Sequence, residues 1–147
     1  MTISLRPIDI HNYEAVCDLD VADTQQNYVA CNMWSLVEAQ FNQGYTTRAI
    51  YRNEEVVGFF MWVAQTGHSV SIWRFMIDLK FQQQGIGREA LSLALEQIKS
   101  LTDVKQIEIC YMPSNPVAKA FYSSFGFQEV GMDDEGEDML AVIELSQ

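Results

Sequence analysis

Long apolar runs are missing from this chain. No stretch approaches the roughly eighteen consecutive apolar residues of a membrane span, and Met1–Ile10, interrupted by Arg6, Pro7 and Asp9, does not read as a leader peptide. The expectation is a cytoplasmic protein without a membrane partner. Cysteine is scarce. Cys17, Cys31 and Cys110 are odd in number, lack metal-ligand spacing and have apolar neighbours. They are expected as free thiols in a reducing compartment, buried except for Cys31, which lies in a polar stretch. The two histidines, His11 and His68, fall at a helix start and in a hairpin turn with no acid or thiol arranged beside them, so no metal site is expected. Positive charge is also short. Nine Lys and Arg against twenty Asp and Glu leave a net charge of −11, which repels nucleic acid and suits a cationic partner.

With 48% hydrophobic residues among 147, the chain carries enough apolar material for a packed core, and its length suits one domain, 1–147, rather than two. Its pattern predicts a strand at Ile3–Pro7, helices over His11–Val21 and from Ser35 to Gly44, and a hairpin of Thr46–Arg52 and Val56–Ala64. In the second helix Leu36, Ala39, Gln40 and Phe41 are expected to face inward. A strand over Val70–Asp78, a helix to about Ile98, a strand over Gln106–Met112, a short helix and a closing hairpin of Phe127–Gly131 and Met139–Leu145 follow.

The organising stretch is Ser71–Leu95. A strand containing Ile72-Trp73-Arg74-Phe75-Met76-Ile77-Asp78 leads through Gln82-Gln83-Gln84-Gly85-Ile86-Gly87-Arg88 into a helix whose Leu91, Ala94, Leu95 and Ile98 share one face. Glycines let the backbone turn tightly and approach a ligand, and the unbonded N–H groups of a helix start attract an anion such as a phosphate. Gly85-Ile86-Gly87-Arg88-Glu89-Ala90 also fits the loose dinucleotide pattern G-x-G-x-x-A, with Glu108 as a ribose acid. Against that stand the four residues between strand and glycines, the long segment that precedes them, and the lack of room for a second nucleotide-binding half.

A second block lies downstream in Asn115-Pro116-Val117-Ala118-Lys119-Ala120-Phe121-Tyr122-Ser123-Ser124-Phe125-Gly126-Phe127. Asn115 suits a helix cap, Pro116 the first turn and Gly126 the position past the end. Gln82-x-x-Gly85-x-Gly87 after a strand, followed by Asn115, Tyr122 and Gly126-Phe127 in that order, resembles the two motif blocks of the GNAT N-acetyltransferases. The resemblance covers nearly the whole chain. It implies the α/β GNAT fold, a mixed, mostly antiparallel sheet with splayed parallel central strands in the order β-α-α-β-β-β-α-β-α-β-β.

The resemblance implies acetyl-CoA as cosubstrate. Main-chain groups of Phe75 and Ile77 would meet the pantetheine arm, the N–H groups of Gln83, Gln84, Gly85, Ile86, Gly87 and Arg88 would hold the pyrophosphate with help from the Arg88 side chain, and Asn115 would bond the pantetheine near the thioester. Tyr122 would be the general acid at the leaving sulfur; from periodicity alone it reads equally as a core aromatic. Several polyamine-acetylating relatives carry an acid where this chain has Trp73. The base therefore stays open between Glu38, Glu108 and a water chain.

Within the family the chain is most similar to bacterial diamine and spermidine/spermine acetyltransferases, through Arg74-Phe75-Met76-Ile77-Asp78 and Gln26-Asn27-Tyr28-Val29. The five carboxylates of Asp133-Asp134-Glu135-Gly136-Glu137-Asp138 are either a binding site for a distal ammonium or a solvated turn. The expected partner is a small polycationic amine, with another amine acceptor or a non-catalytic acyl-CoA-binding role as alternatives. Dimerisation, common in the family, is left open.

Overall fold

Strands form where β-branched and aromatic residues alternate with polar ones or run together. They are Ile3–Arg6 (β1), Tyr45–Arg52 (β2), Glu55–Gln65 (β3), Ser69–Ile77 (β4), Gln106–Tyr111 (β5), Gln128–Met132 (β6) and Met139–Glu144 (β7). The helices are Tyr13–Cys17 (α1), Asn32–Phe41 (α2), Ile86–Lys99 (α3) and Pro116–Ser123 (α4). This computed structural model describes residues 2–20, 32–66, 68–101 and 103–145. The seven strands make one sheet in the order β1-β2-β3-β4-β5-β7-β6, in which β4 and β5 are parallel and every other pair is antiparallel.

Both faces of the sheet are covered, which is why Val57–Val63 of β3 is a continuous buried run instead of an alternation. On one face α3 buries Ile86, Ala90, Leu91, Ala94, Leu95 and Ile98 as a single stripe. This stripe packs with Phe60, Trp62, Val70, Ile72, Ile107 and Ile109 in the larger core. On the other face Val16 of α1, with Leu36 and Ala39 of α2, covers Ala49, Phe59, Met61 and Met76.

The helix starts differ from the sequence reading. α1 begins at Tyr13 rather than His11, and α2 is already helical at Asn32, three residues before Ser35. Phe41 is 83% exposed and Gln40 is exposed, not inward. Leu36 faces the sheet, and a residue five positions on lies about 140° around a helix with 3.6 residues per turn. Cys110, expected to be buried, is exposed because its strand neighbours Ile109 and Tyr111 point into the larger core. Val21, Gln26–Val29 and Cys31 lie outside the described residues. Among the described residues no helix is long and apolar enough to cross a membrane, and no three His, Cys, Asp or Glu side chains cluster as metal ligands.

Gly58 of β3 sits where β3 and β4 approach closely. A Cβ there would lie 2.5 Å from the Met76 carbonyl oxygen of β4 and 2.9 Å from Ile50 Cδ1. Gly58→Ala is expected to destabilise the fold by about 3 kcal/mol, the upper range for overpacking, read as a lowered denaturation midpoint. An unchanged midpoint would show that β3 and β4 are less closely apposed.

Candidate active site

The parallel pair at the centre of the sheet is incomplete. Ser69, Val70, Ser71 and Ile72 of β4 pair with Gln106, Ile107, Glu108 and Ile109 of β5, and the ladder ends there. β4 continues to Ile77 on its other partner, β3, while β5 continues to Tyr111 on β7. A bulge accompanies the parting. Trp62 pairs with Ile72 and Met61 with Arg74, so Trp73 is the extra residue, and a bulge bends and twists its strand. From Trp73 onward the β5-facing edge of β4 has backbone groups that no neighbouring strand takes up.

At the end of β4, Asp78 caps a 3-10 turn, Leu79–Phe81, by accepting from the Lys80 N–H at 3.0 Å. Gln82 then closes the loop back on the strand, its Nε2 donating to the Ile77 carbonyl at 3.0 Å. Gln83 and Gly85 both take left-handed conformations, with φ of 63° and 80°. The first bond of α3 runs from the Glu89 N–H to the Gly85 carbonyl at 3.3 Å. The N–H groups of Ile86, Gly87 and Arg88 are therefore not used by the helix. Unpaired N–H groups at the start of a fourteen-residue helix are an arrangement that suits an anion. A Cβ on Gly85 would meet nothing within 4 Å, and one on Gly87 would lie 3.5 Å from Phe75 and 3.7 Å from Ile77. Gly87 thus leaves open the space between helix and splayed strand. Phe75 and Ile77 thus lie beside the start of α3. The Arg88 guanidinium, however, points to α4. It donates to Ser124 Oγ at 3.0 Å and lies 4.9 Å from the Phe125 ring centroid.

α4 borders the splay on the β5 side. Asn115 Oδ1 accepts from the Ala118 N–H at 3.1 Å, the expected cap, and Gly126 ends the turn with φ of 102°. An open hollow of about 220 Å³ beside this cap is lined by Met112, Ser114, Asn115 and Pro116. Tyr122 is half-buried. Its ring stacks on Tyr111 at 5.6 Å and meets Phe127 edge-on at 5.9 Å. Its hydroxyl bonds to none of the described residues. Burial, and then the neighbouring Tyr111, pushes the Tyr122 phenol well above the ordinary tyrosine value, so it keeps its proton. Burial and a 2.7 Å hydrogen bond to Glu129 push Tyr111 up to about 12. Tyr111, Glu129 and Gln82 were not singled out by sequence as site residues. Gln82 at least stands at the head of the glycine motif, whereas Tyr111 and Glu129 meet only through the pairing of β5, β7 and β6.

The opposite face of the sheet carries a different chemistry. Strand alternation puts Glu108 and Cys110 there, on either side of the last paired rung. Partial desolvation first, then the charges of Asp133, Asp138 and Glu108, pushes the Cys110 thiol up to about 11. Asp133 is partly occupied by its own turn, accepting from the Glu137 N–H at 3.0 Å. Trp73, 44% exposed, meets Tyr45 edge-on at 5.3 Å. The buried Arg74 beside it donates to Asn32 Oδ1 at 3.1 Å, tying β4 to α2.

The sequence pattern described as the acetyltransferase (GNAT) family matches residues 13–127. The chain is 27% identical to the spermine/spermidine N(1)-acetyltransferase of Bacillus subtilis, over 95% of this chain and 97% of that protein. Among solved structures, the PaiA N-acetyltransferase of Thermoplasma acidophilum in complex with coenzyme A superposes with a TM-score of 0.75 at 16% identity, covering 99% of this chain and 100% of its own. A chimera of the Vibrio cholerae spermidine N-acetyltransferase SpeG with hSSAT superposes with a TM-score of 0.77 at 16% identity, covering 98% and 96%.

The raised phenols have a measurable consequence. An unfolded tyrosine releases its proton near pH 10, while Tyr111 and Tyr122 hold theirs in the fold. Stability from this pair is therefore intact below about pH 10 and falls as pH rises beyond it. In an alkaline absorbance titration Tyr122→Phe is expected to remove a late-titrating phenol and to flatten the loss of stability above pH 10. An unchanged late component would mean that Tyr122 is solvated.

Proposed function

The chain belongs to the acetyltransferase (GNAT) family, and from that premise we propose that it transfers the acetyl group of acetyl-CoA to a primary amine of a polyamine. The reading of the acceptor rests on one observation, the convergence of Glu108, Asp133 and Asp138 around Cys110 on one face of the sheet beside the splay. Partial desolvation is the larger cause of the raised thiol and favours no cation, but the three carboxylate charges that add to it lower the free energy of an ammonium at the same place. The overall charge of −11 acts in the same direction.

The residues on the α3 face fit the cosubstrate. The turn from Gln83 to Arg88 presents N–H groups to a pyrophosphate, the free edge of β4 at Phe75 and Ile77 presents main-chain groups to an amide-bearing arm, and Asn115 lies at the end of the parted strands. Acetyl-CoA supplies a thioester whose carbonyl carbon bonds to the amine nitrogen as the carbon–sulfur bond breaks and the thiol is released. The protein's part is to remove one proton from the ammonium so that the neutral amine attacks, to polarise the carbonyl with a strand N–H, and to donate a proton to the leaving sulfur, while the second proton on nitrogen is lost as the amide forms, for a net release of one proton. Tyr122 is the donor. Held protonated by burial, it hydrogen-bonds to sulfur as negative charge accumulates there. Glu108 is the carboxylate that the strand register itself brings to the parting, and it takes the ammonium proton directly or through water. Trp73 and Tyr45 supply an apolar wall for the methylene chain.

Thiol release from acetyl-CoA is expected to be fast with spermine or spermidine and slow with amino acids or an aminoglycoside. A preference for one of the latter would replace the polyamine reading, and silence with every amine while acetyl-CoA still binds would favour a non-catalytic role. Tyr122→Phe is expected to lower kcat by about 100-fold, the low end for a lost general acid, with acetyl-CoA affinity unchanged by calorimetry. Gly87→Phe fills the space against Phe75 and Ile77, so it should abolish acetyl-CoA binding in a folded protein. Retained binding would place the cosubstrate elsewhere.

A further inference from the structure

Tyr122 is placed by groups outside the motif that contains it. α4 is only eight residues long and has no fully buried residue, so burial alone holds it weakly. Its Tyr122 ring lies almost parallel to the Tyr111 ring, with an interplanar angle of 14°. The direction of Tyr122 therefore depends on the direction of Tyr111. A strand tyrosine in a mixed aromatic cluster can turn about its side-chain bonds unless its hydroxyl is tied. The Tyr111 hydroxyl is tied, donating to Glu129 Oε2 at 2.7 Å. The other oxygen of that carboxylate, Oε1, lies 3.5 Å from Nζ of Lys119, on the same helix as Tyr122 and three residues before it.

The carboxylate owes its aim to an irregularity in the sheet. Glu129 pairs with Ala141 and Gly131 with Leu140, so Val130 is an extra residue that bends β6 at this point. One carboxylate thus fixes the end of β5, the bent β6 and α4 relative to one another. We propose that Glu129, acting through the Tyr111 hydroxyl and the Lys119 ammonium, is a positioning residue that fixes the Tyr122 phenol at the parting of β4 and β5. This inference rests on the reading of Tyr122 as the proton donor. A displacement of about 1 Å in a reacting group is enough to cost up to about a hundredfold in rate. The Glu129 carboxyl is itself held below the usual range, by the Tyr111 hydrogen bond first and Lys119 second, so it stays ionised.

The test is a double-mutant cycle in kcat with spermine, or with whichever amine the wild type turns over fastest. Tyr111→Phe keeps the ring stack and removes the tie. It is expected to lower kcat about tenfold while the KM for acetyl-CoA changes less than twofold. Glu129→Ala should behave alike, and Glu129→Gln, which still accepts from Tyr111, should recover most of the rate. In a Tyr122→Phe background Tyr111→Phe should cost nothing further, because no phenol remains to be aimed. If Tyr122→Phe is slow while Tyr111→Phe equals wild type, the positioning role is wrong and the proton donor stands. Equal losses from Tyr111→Phe in both backgrounds would reveal a purely structural tie. If Tyr122→Phe itself turns over normally, the donor reading and the inference built on it both fall. Should Glu129→Ala fail to fold, Tyr111→Phe and Glu129→Gln carry the same comparison.

Discussion

Everything at the site depends on a ladder that stops early. β4 and β5 share four rungs and then part, each continuing on a different antiparallel partner. A parallel pair inside a sheet normally satisfies its backbone groups along its whole length. Here the unpaired edge lies where β4 meets the glycine turn, so main-chain donors and acceptors remain for an extended ligand. The bulge at Trp73 sits at the point of parting and delivers both the bend and an exposed aromatic side chain.

The two sides of the parted strands divide the work by polarity. On the α3 side the free N–H groups at a helix start favour an anion, and the glycines keep the backbone accessible. On the other side the acids of β5 and of the turn between β6 and β7 favour a cation. An anionic cosubstrate and a cationic acceptor would approach through opposite fields and meet at the gap. The phenol beside the gap belongs to a helix with little buried surface, which explains why side-chain ties reach it from both β5 and β6.

Much of this was legible before any coordinates. Gly85 could be assigned to a turn because a left-handed glycine just before a helix leaves a local signature, and Asn115 because capping is local, whereas Gly87, read as part of the same turn, lies inside α3. The register break after Ile72 was legible only through family resemblance, since hydrophobic pattern does not say where two strands cease to pair. Phe41 was misplaced because residues at a helix end follow the 100° rotation rather than their own hydrophobicity. Cys110 was misplaced because its apolar neighbours face the other side of the strand. The Arg88 guanidinium lies over Phe121 and Phe125 and donates to Ser124, contacts that the sequence pattern does not signal. Tyr111 and Glu129 could not be found from sequence, because they are brought together by the order of three strands and a bulge.

In the proposed reading acetyl-CoA binds along the parted edge of β4 and the turn that follows it. Amide hydrogen exchange with and without acetyl-CoA tests this most directly. New protection is expected in Trp73–Ile77 and in Gln83–Arg88, with little change along β1 and β2. Protection that spares both stretches, or appears mainly on the α2 face, would contradict it.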